Sequence, residues 1–113
     1  MGIKYVNVTA HNENRLLKRL VYKNDEVQFI ITISNYSDYY GRVKVKAFDD
    51  LNNIWLDSVI IGLEAKGVAD ITTVPRKVDQ SFTLTAQLLD IVNNTKIDES
   101  MISVRVLPLA RSR

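Results

Sequence analysis

Phe82-Thr83-Leu84-Thr85-Ala86-Gln87-Leu88 alternates apolar and polar side chains without a break. In an extended chain successive side chains point to opposite faces. Phe82, Leu84, Ala86 and Leu88 therefore line one face, and Thr83, Thr85 and Gln87 the other. This is a half-buried strand, and the same period recurs outward from it. Toward the C-terminus, Val92-Asn93-Asn94-Thr95 marks a turn. Met101 to Leu107 then sets Ile102, Val104 and Val106 against Ser103 and Arg105, and Pro108 closes the strand. Toward the N-terminus, Val68 to Val74 reads as a strand ended by Pro75, which removes a ladder donor. Gly62 to Gly67 is a connection, and Ile54 to Ile61 a strand that runs through Trp55. Asp49-Asp50-Leu51-Asn52-Asn53 is a turn by composition.

Gly41 to Asp49 alternates again, with Val43, Val45 and Ala47 inward and Arg42, Lys44 and Lys46 toward water. Phe48 falls on the polar face, which predicts a bulge or twist near the strand end. Val27, Phe29, Ile31 and Ile33 form an apolar row interleaved with Gln28, Thr32 and Ser34, with only Ile30 apolar on the polar face. Ile3 to Thr9, rich in Val, Tyr and Thr, is the first strand. One segment reads two ways: Leu16, Leu17, Leu20 and Val21 within Asn14 to Lys23 suit either a short amphipathic helix, capped by Asn12 or Asn14, or an irregular edge strand.

Strands separated by turn signals about every ten residues are the all-β pattern. No helical segment is long enough for βαβ crossovers, which excludes parallel α/β folds. Two facing sheets bury the apolar rows. The expectation is one domain over residues 1–113, an immunoglobulin-like (fibronectin III-like) antiparallel β-sandwich of about seven strands. The 113 residues bury roughly two-thirds of the unfolded chain's surface at this size, enough for a core without disulfides or a metal. A hydrophobic fraction of 46% and a charged fraction of 25% are ordinary for a globular chain. The net charge of +2 lacks the concentrated positive field of a nucleic-acid binder.

Asn24-Asp25 precedes Val27-Gln28-Phe29-Ile30-Ile31-Thr32-Ile33-Ser34-Asn35, and Ile61-Gly62-Leu63-Glu64-Ala65-Lys66-Gly67 follows later. Phe82-Thr83-Leu84-Thr85-Ala86 and an acidic-Asn hairpin come after. From about Tyr5 to Val106 this order resembles the CARDB-type domains, immunoglobulin-like modules of bacterial and archaeal surface proteins. Those carry a Gly-Asp turn before a long strand ending in Val-x-Asn-x-Gly, and a return strand leading to Leu-x-Ala-Gly. The chain departs from the pattern after Asn35, where Tyr36 and Ser37 replace the glycine, and by one inserted residue before Gly67. Fibronectin-type modules, archaellum-associated sandwiches and viral structural proteins share such turn and core positions. The resemblance implies a non-catalytic structural or adhesive module of a cell-surface or filament-associated protein.

The residues themselves lack catalytic parts. His11 is the sole histidine and cysteine is absent, so Ser-His-Asp, Cys-His and zinc sites cannot be assembled. Glycines are too scattered for a phosphate-cradling loop. Asp49, Asp50, Asn52, Asn53 and nearby Asp57 gather oxygens of the kind calcium takes, but EF-hand spacing is missing and turn chemistry accounts for them. Asp90 and Asp98 flank a hairpin in the same way. No enzyme activity, cofactor or metal is expected. Arg42, Lys44 and Lys46 read as a solvated strand face, since no aromatics interleave them for base stacking.

Two features point to recognition. Asn35-Tyr36-Ser37-Asp38-Tyr39-Tyr40-Gly41 holds three of the chain's five tyrosines. Tyrosine with Ser, Asn and Gly is the composition of a paratope, and Tyr36, Tyr39 and Tyr40 are the candidate binding residues. The competing expectation is that their rings close the end of the core. N-x-[ST] sequons stand at Asn7, Asn35 and Asn93; Asn35 and Asn93 fall at loops, where a glycan fits if the chain is exported. The expected partner is another protein or a glycan, without nucleic acid or membrane insertion, and the chain itself is a monomer or weak homo-oligomer. No apolar run reaches the roughly 20 residues of a membrane helix. The start, Met-Gly-Ile-Lys-Tyr-Val, has no h-region or cleavage site. Two settings follow: a segment of a longer exported protein, or a small intracellular or virion structural protein.

Overall fold

The apolar rows of the sequence become the facing walls of two sheets. The structure is a computed structural model and describes residues 1–10 and 20–108. Its strands are β1 (Gly2–Ala10), β2 (Leu20–Tyr22), β3 (Glu26–Ser34), β4 (Gly41–Asp49), β5 (Ile54–Leu63), β6 (Val68–Thr72), β7 (Arg76–Lys77), β8 (Phe82–Leu89) and β9 (Lys96–Leu107). One sheet has the order β1-β3-β6, with β7 also on β3; the other has β2-β9-β8-β4-β5. Of the nine strands, β2 and β7 are fragments of three and two residues, and the rest correspond to the expected seven.

Phe29, Ile31 and Ile33 of β3 face Val43, Val45 and Ala47 of β4, Leu84, Ala86 and Leu88 of β8, and Ile102 and Val104 of β9, all buried. Pairing is antiparallel throughout except for β2, which runs parallel to β9, Val21 opposite Val106. Of the segment Asn14 to Lys23, Leu20–Tyr22 is thus an edge strand; the remainder up to position 19, Asn12 and His11 lie outside the described residues.

The expected irregularity near the end of β4 is present, but the extra residues sit on its partner strand. Alternation in β4 continues to its end, with Phe48 half-exposed on the outer face and Asp49 buried. The irregularities lie in the β4–β5 ladder, between Val45↔Val59, Ala47↔Leu56 and Phe48↔Ile54, so β5 carries the extra residues. Ser58 there takes a φ of 50°. Outward-facing Phe48 is instead covered by the Lys46 ammonium, 5.5 Å from the ring centre. Pro75 also interrupts less than expected. The strand ends at Thr72, but Thr73 continues the connection to β3: Phe29 N donates to Thr73 Oγ1 and Thr73 N to Phe29 O, both at 2.9 Å. Beyond Pro75 the short β7 rejoins β3 at Val27.

The strand directions give the sandwich two ends. The Asp49–Asn53 turn, Trp55 and the start of β8 lie at one. At the other lie Met1, the Asn35–Tyr40 loop, the Leu63–Gly67 connection and the Asp90–Thr95 turn, brought together by the pairings Gly2↔Ser34, Gly41↔Leu63 and Lys44↔Leu89.

Candidate functional site

The tyrosine end is organised by a residue whose side chain points inward. Asn35 is 1% exposed. Its Nδ2 donates to the carbonyls of Tyr39 (2.9 Å), Leu63 (3.1 Å) and Glu64 (3.0 Å). Its Oδ1 accepts from Ser37 N at 3.1 Å, and its own N–H donates to Gly67 O at 2.8 Å. A single buried amide therefore ties the loop after β3 to the connection after β5. The Ser37 Oγ donates to Tyr39 O and accepts from Tyr39 N. Lys66 adds a bond from Nζ to Tyr36 O at 2.9 Å and an ion pair with Asp38 at 3.4 Å. Both charged groups of that pair are exposed, so it orients the loop more than it stabilises the fold.

On this pinned backbone the three rings stand outside. Tyr36, Tyr39 and Tyr40 are 65%, 79% and 55% exposed. The expectation that they close the end of the core is not met; Asn35 and the backbone carbonyls it gathers do so. Tyr36 Oη donates to Met1 O at 3.1 Å, and the Tyr40 ring lies across Gly62 on the outer face of β5, where a side chain would collide with it. Tyr39 is the most exposed of the three.

The residues that spell the sequon Asn35-Tyr36-Ser37 are those of an Asx turn, in which an Asn oxygen accepts the backbone N–H two residues on. A glycan at Asn35 would occupy an amide nitrogen already shared among three carbonyls. Asn93 is exposed in the Asp90–Thr95 turn, which is closed by bonds from Val92 N and Asn93 N to Asp90 Oδ1. Nothing covers its side chain. Asn7 is exposed within β1. Sequence reasoning missed the inward role of Asn35. The Asn-x-Ser spacing immediately after a strand signals the Asx turn, but not the burial of the side chain.

The carboxylate turn at the opposite end is occupied with its own structure. Asp49 accepts bonds from Leu51 N, Asn53 N, Asn53 Nδ2 and Trp55 Nε1. Burial pushes its carboxyl up, but the bonds from Trp55, Asn53 and Leu51 outweigh it and hold the group below the ordinary carboxylate range. Asp50 caps the start of β8 by accepting from Thr83 N. Among the described residues no group of three or more His, Cys, Asp or Glu side chains comes together. In the basic row, Lys44 reaches Asn94 at 2.6 Å and Lys46 leans on Phe48, so the row does not converge on one point.

No family profile matches the chain, and no curated protein matches it by sequence. Its fold is similar to that of the CARDB domain of a Pyrococcus furiosus protein, solved in complex with di-metal ions, at a TM-score of 0.68 over 92% of each chain with 12% sequence identity. The chain has the fold of a CARDB domain. Two deviations from the CARDB turn pattern now have physical reasons. Asn24 stands where the pattern has glycine and takes a φ of 72°, a conformation asparagine tolerates better than other side chains. The inserted residue before Gly67 is accommodated by Lys66 at a φ of 61°. Gly67 is required by proximity: a Cβ there would stand 2.9 Å from Glu64 O.

Proposed function

We propose that this CARDB-like domain is a non-catalytic structural or adhesive module of a cell-surface or filament-associated protein, and that it engages a protein or glycan through Tyr36, Tyr39 and Tyr40. The observation that carries this reading is the pairing of three exposed rings with a backbone already fixed by Asn35. Binding to a pre-ordered loop avoids the entropy cost of ordering it. Tyrosine supplies large contact area with few rotatable bonds. The metal ions of the structural neighbour are not carried over, because no three His, Cys, Asp or Glu side chains come together among the described residues and Asp49 is committed to four donors.

The test is selection of ligands from an immobilised glycan panel and a displayed random-peptide library. Wild-type chain should enrich ligands that the Tyr36→Ser/Tyr39→Ser/Tyr40→Ser variant fails to bind, while the two proteins melt together. Failure to enrich any ligand, or ligands that bind both proteins equally, would overturn the assignment.

A further inference from the structure

Open sheet edges invite pairing with other chains, and folded proteins blunt them with charges, prolines, bulges or brevity. Among the described residues, three of the four sheet edges are blunted. β2 is three residues long. β1 has exposed Lys4 and a register shift between Ile3 and Tyr5. On the far side of β3, β6 is five residues long with exposed Asp70, and beyond Pro75 comes the Arg-Lys of β7. The β5 edge is different. Val59-Ile60-Ile61-Gly62-Leu63 pairs with β4 in unbroken register, carries no charge or proline, and has β4 as its partner in the sheet. Val59 and Ile60 are exposed. The bulged Asp57-Ser58 stretch limits the open edge at one end, and at the other the Leu63 carbonyl already accepts from Asn35 Nδ2.

We propose that the β5 edge is a homodimer interface, in which a second copy of this chain pairs antiparallel about a two-fold axis at Ile61. Residues directly opposite in an antiparallel pair share a face. On the outer face this register sets Ile60 of each copy opposite Gly62 of the other. Gly62 has no side chain, but the Tyr40 ring lies across it. The exposed Ile60 thus meets the exposed Tyr40 ring of the second copy, twice, as an aromatic–β-branched cross-strand pair. On the inner face Ile61 meets its own counterpart, and Val59 meets Leu63. A strand from an unrelated protein would satisfy the edge backbone without supplying the ring-over-glycine that Ile60 fits, so the edge is complementary to itself. Closed two-fold association is the ordinary result of such self-complementarity. The pairing is short and the interface small, so association is weak.

Sedimentation equilibrium from about 10 μM to about 1 mM, a span that covers weak association, tests it. Wild-type chain should pass from monomer to dimer. Ile60→Lys and Tyr40→Ser should each weaken association at least about tenfold, roughly 1.4 kcal/mol. The Ile60→Lys monomer should melt as wild type when dilute. Because the chain has no cysteine, Ile61→Cys should form a disulfide dimer on mild oxidation, while Val68→Cys on the β6 edge should not. Tyr36→Ser and Tyr39→Ser should leave the dimer intact, which separates this interface from the ligand role proposed for the loop. A chain that stays monomeric at about 1 mM, leaving the edge to a foreign strand, would overturn the proposal. So would Ile60→Lys associating like wild type, or Ile61→Cys cross-linking no better than Val68→Cys.

Discussion

Trp55 donates its indole N–H to the Asp49 carboxylate at 2.9 Å, and so ties the aromatic core to the β4–β5 turn. The same ring stacks on Phe82 at 5.6 Å, meets Phe29 edge-on at 5.0 Å, and is covered by the Arg76 guanidinium at 5.1 Å. Turn, core and lid at this end are one unit with Asp49 at its hub. Asp49→Ala strands one indole and two backbone donors, so it should cost on the order of 3 kcal/mol, as loss of hydrogen bonds to a charged acceptor does. Trp55→Phe loses only one of the four bonds and should cost less. Urea denaturation of both variants measures this; an Asp49→Ala cost below about 0.5 kcal/mol, the range of an ordinary surface change, would contradict it.

The same contact fixes a pH dependence. The folded carboxyl of Asp49 lies below its unfolded value because the hydrogen bonds outweigh burial. The unfolded state therefore binds the proton first on acidification. The stabilisation is fully present above the ordinary carboxylate range and is lost as pH falls through it toward the lower folded value. Asp49→Asn should flatten that acid limb. Melting curves of both proteins between neutral and strongly acid pH read the difference, and identical slopes would refute it.

Phe29 and Leu84 lie at the centre of the two facing rows, both fully buried. Phe29→Ala and Leu84→Ala should each cost about 2–5 kcal/mol through lost transfer energy and a residual cavity. Phe29→Ala should sit toward the upper end, because the ring touches both Trp55 and Phe82. Chemical denaturation provides the check, and losses under about 1 kcal/mol would reverse the assignment of inner and outer faces.

Asn35 and its neighbouring tyrosines should separate cleanly. Asn35→Ala leaves three carbonyls and the Ser37 N–H without this partner and should cost about 2–3 kcal/mol. Changing Tyr36, Tyr39 and Tyr40 together to Ser should cost under about 1 kcal/mol, since all three rings are largely solvated. A triple variant less stable than Asn35→Ala would restore the rings to a packing role.

What was legible in the sequence follows from what periodicity can report. Alternation fixes which side chain faces inward, so Val27–Ile33, Val43–Ala47 and Phe82–Leu88 were placed on the correct faces, and β4 was bounded at both ends. The CARDB-like sandwich was legible for the same reason, through turn residues such as Asn24-Asp25 and Gly67. Roles set by contacts between distant strands were not. Asn35 is polar and sits at a strand end, so local reading places it in water; only the approach of the β5–β6 connection buries it. The bulge near Phe48 was assigned to β4 because sequence shows the odd side chain, not the partner strand that absorbs the irregularity. The tyrosine cluster was visible as composition, but whether its rings turn inward depends on that same buried amide.

Tyr40 and Gly62 behave as one residue divided between two strands, the backbone supplied by 62 and the ring by 40. A mutation that gives position 62 a side chain must turn the ring outward, and a mutation that removes the ring bares a strip of strand. Because the ring is largely solvated, neither step costs the fold much; what each removes is the surface that the two residues present together. Lineages that use that surface should accordingly keep both residues or exchange both.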